Sequence, residues 1–388
     1  MKKIIIVNNN MNVGGVQKSL CNLLWALEGK YDITLVLFRR MGEYAEQIPS
    51  SIKVVECESL FRLLGISQGQ CEGRDRIIRG ILAMISRCFG RPAAMRYILS
   101  SQKTLDEHYD CAISFLHNGN IKNFYGGTQE FVLHKINANK KVAFLHCDYE
   151  NCGANHLMNN RLIAKFDVIA ACSDGCRAAF ENVLPELAHR TVTVKNFHRF
   201  DEIKRLSEEN PVAYDENAIH VVMVSRLAHE KAIERGILAI ANARKNGVDV
   251  KLHIVGGGPM EDMLREYARL RGVMDYVCFY GEQANPYRYM KHADLFLLTS
   301  YHEAAPMVLE EARCLGLPIL TVETTSSAEM VIEQDCGWVC DNDQQALERV
   351  LHGLLADKES LRKKKLRIQS RHMSNSAARK QFDDLVEE

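Results

Sequence analysis

Two parallel α/β sheets in tandem, each doubly wound (Rossmann-like), are the fold class this sequence predicts, and three observations predict it. The chain has 388 residues, more than one ordinary core holds and enough for two domains of about 150–200 residues each. Short apolar runs alternate with helix-period segments in both halves, the pattern of strand–crossover–strand units. Glycine turns lie between a strand and a helix, at Gly14-Gly15 and again at Gly256-Gly257-Gly258.

Ile4 to Val7 is a buried strand, Asn8 to Val13 a loop and Gly14-Gly15 a tight turn. A helix then runs from Val16 to Leu27, with Leu20, Leu23, Leu24 and Leu27 on one face. Strands follow at Asp32 to Phe38, Cys111 to Phe115, Lys141 to Leu145 and Val168 to Ala171. Around Asp201 to Asn217 the chain turns acidic and polar, which marks a linker between a first domain at 1–200 and a second at 218–365. The second half alternates strictly, with strands at 219–224, 250–255, 276–280, 294–299 and 318–322. Helices fall at 232–245, 260–271, 285–291, 306–315 and 343–355, and one at 377–387 lies in a C-terminal segment, 366–388.

Composition excludes several functions. Hydrophobic content of 47% and charged content of 25% belong to a soluble globular chain. A formal net charge of zero gives no global field toward nucleic acid, so no nucleic-acid partner is expected. The start, Met-Lys-Lys-Ile-Ile-Ile-Val-Asn, is too short in apolar residues for a signal-peptide core or a membrane span. A cytoplasmic protein is expected. The 13 cysteines have no framework spacing and contain no Cys-x-x-Cys pair. They read as small buried hydrophobes of a reducing compartment, and neither Cys172/Cys176 nor Cys336/Cys340 is taken as a zinc site.

One segment departs from the average. Between Phe61 and Lys103, eight cations face two acids, Glu72 and Asp75. Ile77, Ile78, Ile81, Leu82, Ile85 and Phe89 repeat at helical spacing, and Arg76, Arg79 and Arg87 fall on another face. Such a helix suits the anionic surface of a membrane, at about 1 kcal/mol per basic residue. The plain alternative is a helix packed on the core with a solvated cationic face.

Three clusters carry the chemistry. Ser225-Arg226-Leu227-Ala228-His229-Glu230-Lys231 follows the strand at 219–224, and ligands of doubly wound sheets bind at the carboxyl ends of strands. A planar fork (Arg226) and a point charge (Lys231) together suit a diphosphate. The competing reading is a surface loop with ordinary ion pairs to Glu230 or Glu234. The turn at Gly256 to Gly258 lets backbone come close to a ligand, but Pro259 and Met260 stand where a nicotinamide-dinucleotide fingerprint needs its third glycine. Last, Ser300 to Pro318 leaves a strand and opens a helix, with Pro306 suited to its first turn, Glu303 just before it and Glu311 on its second turn. Acids beside an anion-favouring helix N-terminus need another task, and the hydroxyls of a sugar and a ribose supply one.

In that order the three clusters resemble the retaining family 4 glycosyltransferases of cell-surface polysaccharide synthesis, which have the GT-B fold. The resemblance spans about Val221 to Cys340 and weakens toward the first half, where it rests on Gly14-Gly15, Phe144-Leu-His146, Ala171-Cys-Ser173 and Val194-Lys-Asn196. It implies two Rossmann-like domains facing a cleft, an acceptor domain first and a donor domain second, with the last helix crossing back to the first domain. It also implies roles. Arg226 and Lys231 would hold the donor diphosphate, Glu303 the sugar hydroxyls and Glu311 the ribose diol. Backbone near Ala305, Pro306 and Met307 would meet phosphate or sugar. Gly15 would approach the diphosphate, Gly256 and the Gly281-Glu282 turn would line the base, and His146 would lie near the donor sugar. His146 also reads as a hydrogen-bonded core histidine.

The reaction implied is retaining transfer of a hexose from a nucleotide-diphosphate sugar, UDP favoured, to a saccharide or lipid-linked saccharide. No metal and no cofactor are expected, because Asp341-Asn342-Asp343 reads as a helix N-cap and not as a metal motif. The chain departs from the family at Ala232 and Ala304, where glycine is common. If either position needs φ > 0, alanine is strained. A catalytically silent nucleotide-sugar-binding regulator is the alternative. A nicotinamide-dependent oxidoreductase lacks its Gly-x-Gly-x-x-Gly in both halves.

Overall fold

The structure, a computed structural model, describes residues 1–120 and 124–387. It divides into two compact units, one of Met1–Phe197 with Asn375–Glu388 and one of His198–Ser374.

The first unit is a seven-stranded, all-parallel sheet: β1 (Lys3–Asn8), β2 (Asp32–Leu37), β3 (Lys53–Glu56), β4 (His108–Ser114), β5 (Asn137–Leu145), β6 (Val168–Ala171) and β7 (Thr191–Thr193). Their spatial order is β3-β2-β1-β4-β5-β6-β7. Helices cover both faces, so the inner strands read as unbroken apolar runs, with Ile4, Ile5, Ile6 and Val7 all fully buried. The final helix, Ser376–Glu387, belongs to this unit: Phe382 is buried in its core, and the Tyr31 hydroxyl donates to Asp383 at 2.8 Å.

The second unit has six parallel strands, β8 (Ile219–Val224), β9 (Val250–Val255), β10 (Val277–Phe279), β11 (Leu295–Leu298), β12 (Ile319–Val322) and β13 (Gly337–Cys340). Their order, β10-β9-β8-β11-β12-β13, is that of a dinucleotide-type doubly wound sheet, and it reverses between β8 and β11. Val221, Leu252, Leu295, Leu297 and Leu320 are fully buried in its core, each contributing about 1.5–3 kcal/mol through burial.

Three sequence expectations are corrected. The 201–217 stretch is not simply a linker, because Phe200–Ser207 forms a helix whose Ile203 and Ser207 are buried within the second unit. Its amphipathic spacing was masked by the surrounding acids. The 366–388 segment is split: Lys358–Gln369 is a helix of the second unit, and only the residues from Asn375 join the first. The basic segment forms two helices, Gly73–Phe89 and Arg91–Ser100, and its faces differ from those of the core-packed alternative. Arg79, assigned to the solvated face, is 7% exposed and donates to the carbonyls of Leu63 (3.0 Å) and Phe124 (2.9 Å). Ile77, Ile81 and Phe89 of the apolar stripe are 48–78% exposed, which departs from the core-packed alternative. Hydrophobic periodicity reports a stripe but not which stripe meets the core. Among the described residues, no helix is long and apolar enough to cross a membrane.

Candidate functional site

The reversal point of the second sheet places the ends of β8 and β11 side by side, Val221 against Leu295 and Val222 against Phe296. The two charged segments leave from these ends. Lys231 Nζ meets Glu303 Oε1 at 2.6 Å, with side chains only 21% and 10% exposed. The Ser300 hydroxyl donates to the same carboxylate oxygen at 2.7 Å. Residues 72 positions apart are thus one constellation. Arg226 lies farther out: its side chain is 69% exposed and pairs with Glu230 at 2.6 Å, as the surface-loop alternative expected. Glu234 has another partner, accepting from the Tyr301 hydroxyl at 3.3 Å.

The loops after β8, β9 and β10 are stitched together by backbone. Leu227 N–H donates to Gly257 O (2.9 Å), Met260 N–H to Leu227 O (3.1 Å) and Gly256 N–H to Gly281 O (2.8 Å). A Cβ on Gly256 would lie 1.9 Å from Ser225 O and one on Gly258 2.3 Å from Leu227 O, so neither position admits a side chain. What approaches these glycines is the backbone of the loop that carries Arg226. Glu282 is exposed beside Gly257.

Helix Met307–Cys314 opens with Pro306 at its N-cap, φ −66 and ψ 114, one position earlier than expected. Its first-turn amides form a favourable place for an anion at the carboxyl edge of β11. Ala305 is half-buried, Pro306 and Met307 are buried, and Glu311 is 3% exposed. Glu310 points away and pairs with Arg313 at 2.5 Å, while Lys291 pairs with Glu208.

The two alanine departures differ. Ala232 is fully buried with φ 48 and ψ 44, so it holds the left-handed conformation that favours glycine. The Thr299 hydroxyl braces the turn by donating to Ala232 O at 2.9 Å. Ala304 is buried and absent from the positive-φ positions, so it carries no such strain.

Several residues of the constellation escaped sequence reasoning. Arg235 is 7% exposed, and its Nη1 donates to Asn342 Oδ1 at 2.6 Å and Thr299 O at 3.3 Å. Asn342 in turn donates to Tyr301 O (3.0 Å) and Glu323 O (2.9 Å), fixing the loop that bears Glu303. An arginine in the apolar register of Ile233, Gly236, Ile237 and Ile240 is the signal that would have found it. Asp343 is an N-cap, accepting from Ala346 N–H at 2.8 Å. At the same strand ends, buried Ser225 Oγ, Thr324 Oγ1, Ser326 Oγ and Arg235 Nη2 have no protein partner, and a ligand's polar atoms would supply one.

Gly15 and His146 lie on the first unit. Gly15 opens helix Gly15–Leu27, and a Cβ there would meet nothing within 4 Å. His146 follows β5 and stacks near Phe115 (4.6 Å) and Phe144 (5.7 Å). Its Nε2 is buried and has no hydrogen-bond partner. Burial pushes its pKa down to about 3, which keeps the imidazole neutral.

Residues 205–373 match the family model described as glycosyl transferases group 1. A GDP-mannose-dependent alpha-(1-6)-phosphatidylinositol dimannoside mannosyltransferase of Mycobacterium tuberculosis is 26% identical over 212 residues, 53% of this chain and 54% of that protein. An amylovoran biosynthesis glycosyltransferase of Erwinia amylovora is 29% identical over 142 residues, 34% of this chain and 35% of that protein. The matched stretch thus spans about half of these relatives' length or less. Among solved structures, Anabaena Alr3699/HepE in complex with UDP superposes with a TM-score of 0.67 at 17% identity, with each chain fully covered. That likeness is one of fold, and the fold is GT-B. By this match and this architecture, residues 205–373 are similar to the group 1 glycosyl transferases, and the chain has the fold of the solved glycosyltransferase structures.

Proposed function

We propose that the chain is a retaining, metal-independent hexosyltransferase that takes its sugar from a nucleotide-diphosphate donor, UDP-sugar first, and passes it to a saccharide or lipid-linked saccharide in surface polysaccharide synthesis. The observation that supports this most is the Lys231–Glu303–Ser300 constellation at the reversal point, with a helix N-terminus beside it. The UDP named with the Anabaena structure favours UDP over GDP.

Each residue then has a task. The exposed Arg226–Glu230 pair is worth roughly 0–1 kcal/mol, so a diphosphate can take Arg226 at little cost. Lys231 is shared between Glu303 and the departing phosphate, and charge builds on that phosphate as the glycosidic bond lengthens. A cation, a guanidinium and helix amides stabilise it together. Glu303 fixes the sugar hydroxyls, Glu311 the ribose diol, and Ala305 to Met307 offer backbone amides. Gly256, Gly281 and Glu282 border the base, and Gly15 leaves space for phosphate. His146, neutral and with a free Nε2, serves as a hydrogen-bonding group for a substrate hydroxyl and not as a proton acceptor. The silent-regulator alternative draws little from Ala232, because the Thr299 brace keeps the charged anchors in place.

The exposed stripe Ile77, Ile81 and Met84, with Arg74, Arg76 and Arg87 on the same helix, supports a peripheral position on an anionic membrane surface. Sedimentation with vesicles of mixed neutral and anionic lipid should capture the wild type and lose Ile81→Asp. Equal capture by purely neutral vesicles would sink the membrane part. For the reaction, NMR of the product should show the donor's own anomeric configuration, with turnover at least 100-fold lower in Glu303→Gln, on the order of the loss from removing one stabilising group. An inverted product, or turnover untouched in that variant, would contradict the proposal.

A further inference from the structure

A second cluster of chemistry lies at the carboxyl edge of the first unit's sheet. His117 follows β4, Cys147 follows the neighbouring β5, and Cys152 sits in the turn after it. Strands β4 and β5 pair along most of their length, so their exits stand side by side. One ligand-capable atom from each residue lies within 4.8 Å of the other two.

The turn between the two cysteines is built to hold this arrangement. Cys152 N–H donates to Asp148 O at 2.9 Å, and the Asp148 carboxylate accepts from the Asn151 backbone (3.2 Å) and side chain (2.8 Å). Cys147 is 7% exposed, and its own carbonyl accepts from the Cys176 thiol at 3.1 Å. His117 Nδ1 is buried with no hydrogen-bond partner, although a buried ring nitrogen nearly always has one.

We propose that His117, Cys147 and Cys152 form a structural zinc site whose fourth coordination position is taken by water. Two sulfurs and one imidazole, with no carboxylate among them, select a thiophilic ion over Mg2+ or Ca2+. Around a tetrahedral zinc with bonds of about 2.0–2.3 Å, one nitrogen and two sulfurs stand about 3.5–3.8 Å apart, so closure asks for a contraction of at most about 1.3 Å. Loading releases the two thiol protons to solvent and leaves two thiolates on the metal. Such a site clamps the exits of β4 and β5 to the 147–152 turn and fixes His146, which precedes Cys147 directly. It differs from both cysteine spacings weighed in the sequence, Cys172/Cys176 and Cys336/Cys340. The proposal does not rest on the transferase reading.

The test is metal content of the full chain. Protein loaded with zinc under a non-chelating reductant and passed over a desalting column should retain one equivalent by elemental analysis. Cys152→Ser and His117→Asn, one a half-buried thiol and the other a half-buried imidazole, should each weaken retention at least tenfold. Circular dichroism and the melting temperature in chelator should stay as in the wild type. Cobalt substitution should give a thiolate-to-metal charge-transfer band that both variants weaken. Three outcomes overturn the proposal: less than a tenth of an equivalent in the wild type, undiminished zinc in both variants, or a Cys147–Cys152 disulfide in place of zinc by mass spectrometry.

Discussion

Lys231 and Glu303 show what a single pair does in this protein. Their side chains are mostly shielded, so removing one partner leaves the other charge half-buried. Lys231→Ala should therefore cost about 1–3 kcal/mol of stability without ligand, and adding Glu303→Gln should return part of that loss. Urea unfolding of the four members of the cycle checks this, and additive losses would show that the pair is not coupled. Ala232 is the second informative residue. Its left-handed backbone costs about 1–2 kcal/mol, while glycine there costs roughly 0.4–1 kcal/mol in unfolded-state entropy and loses a buried methyl. Ala232→Gly should come out between neutral and about 1 kcal/mol more stable. A loss above 1 kcal/mol would mean the residue is not strained. The need for alanine to adopt φ > 0 could be stated from the sequence only as a condition, because nothing in Lys231-Ala232-Ile233 shows the turn that Thr299 closes from 67 residues away.

Among the elements, strands buried on both faces were legible and three short, partly exposed strands were not. Ile219–Val224 and Val250–Val255 agree with the reading at both ends, because helices on both sides of the sheet demand unbroken apolar runs. β3, β7 and β13 went unread, being three or four residues long with partly exposed faces. The helix Gly73–Phe89 was legible as amphipathic but not in its orientation, since the buried Arg79 is satisfied by two carbonyls that only the fold supplies. The pairing of β8 with β9 carries a consequence of its own. His220 Nε2–H donates to Asp215 O (2.8 Å), so His220 Nδ1 accepts from His253 Nε2–H (2.8 Å), and His253 Nδ1 accepts from the Tyr280 hydroxyl (3.0 Å). Burial, then the neighbouring His220, pushes His253 down to about 3 from an ordinary 6.5. Between those values the unfolded chain binds one proton more than the folded one. The contribution of a neutral His253 is therefore fully present above pH 6.5 and is lost toward pH 3, at up to about 1.4 kcal/mol per pH unit. Denaturation from pH 7 to 4 should show that slope reduced in His253→Gln, and an unchanged slope would contradict the assignment.

For the whole molecule, the sequence carried the two-sheet plan and the charged anchors of the second unit further than anything in the first. Arg226, Lys231, Glu303 and Glu311 lie on strand exits and a helix whose positions follow from local pattern alone. The supporting residues Arg235, Thr299 and Asn342 come from three separate segments, and no local pattern joins them. The same holds for His117, Cys147 and Cys152, which only the adjacency of β4 and β5 brings together. The central claim is that the second unit holds a nucleotide diphosphate through Arg226 and Lys231. Its most direct test is the melting temperature of the full chain with UDP, GDP, ADP and their common sugars, beside Arg226→Ala, whose exposed side chain can be removed without disturbing the core. A ligand that binds only the folded state stabilises by RT ln(1 + [L]/Kd), about 2.7 kcal/mol at one hundred times Kd. The melting temperature should rise with UDP and UDP-sugars, and rise less in the variant. No rise with any nucleotide, or a rise of equal size in Arg226→Ala, would contradict it.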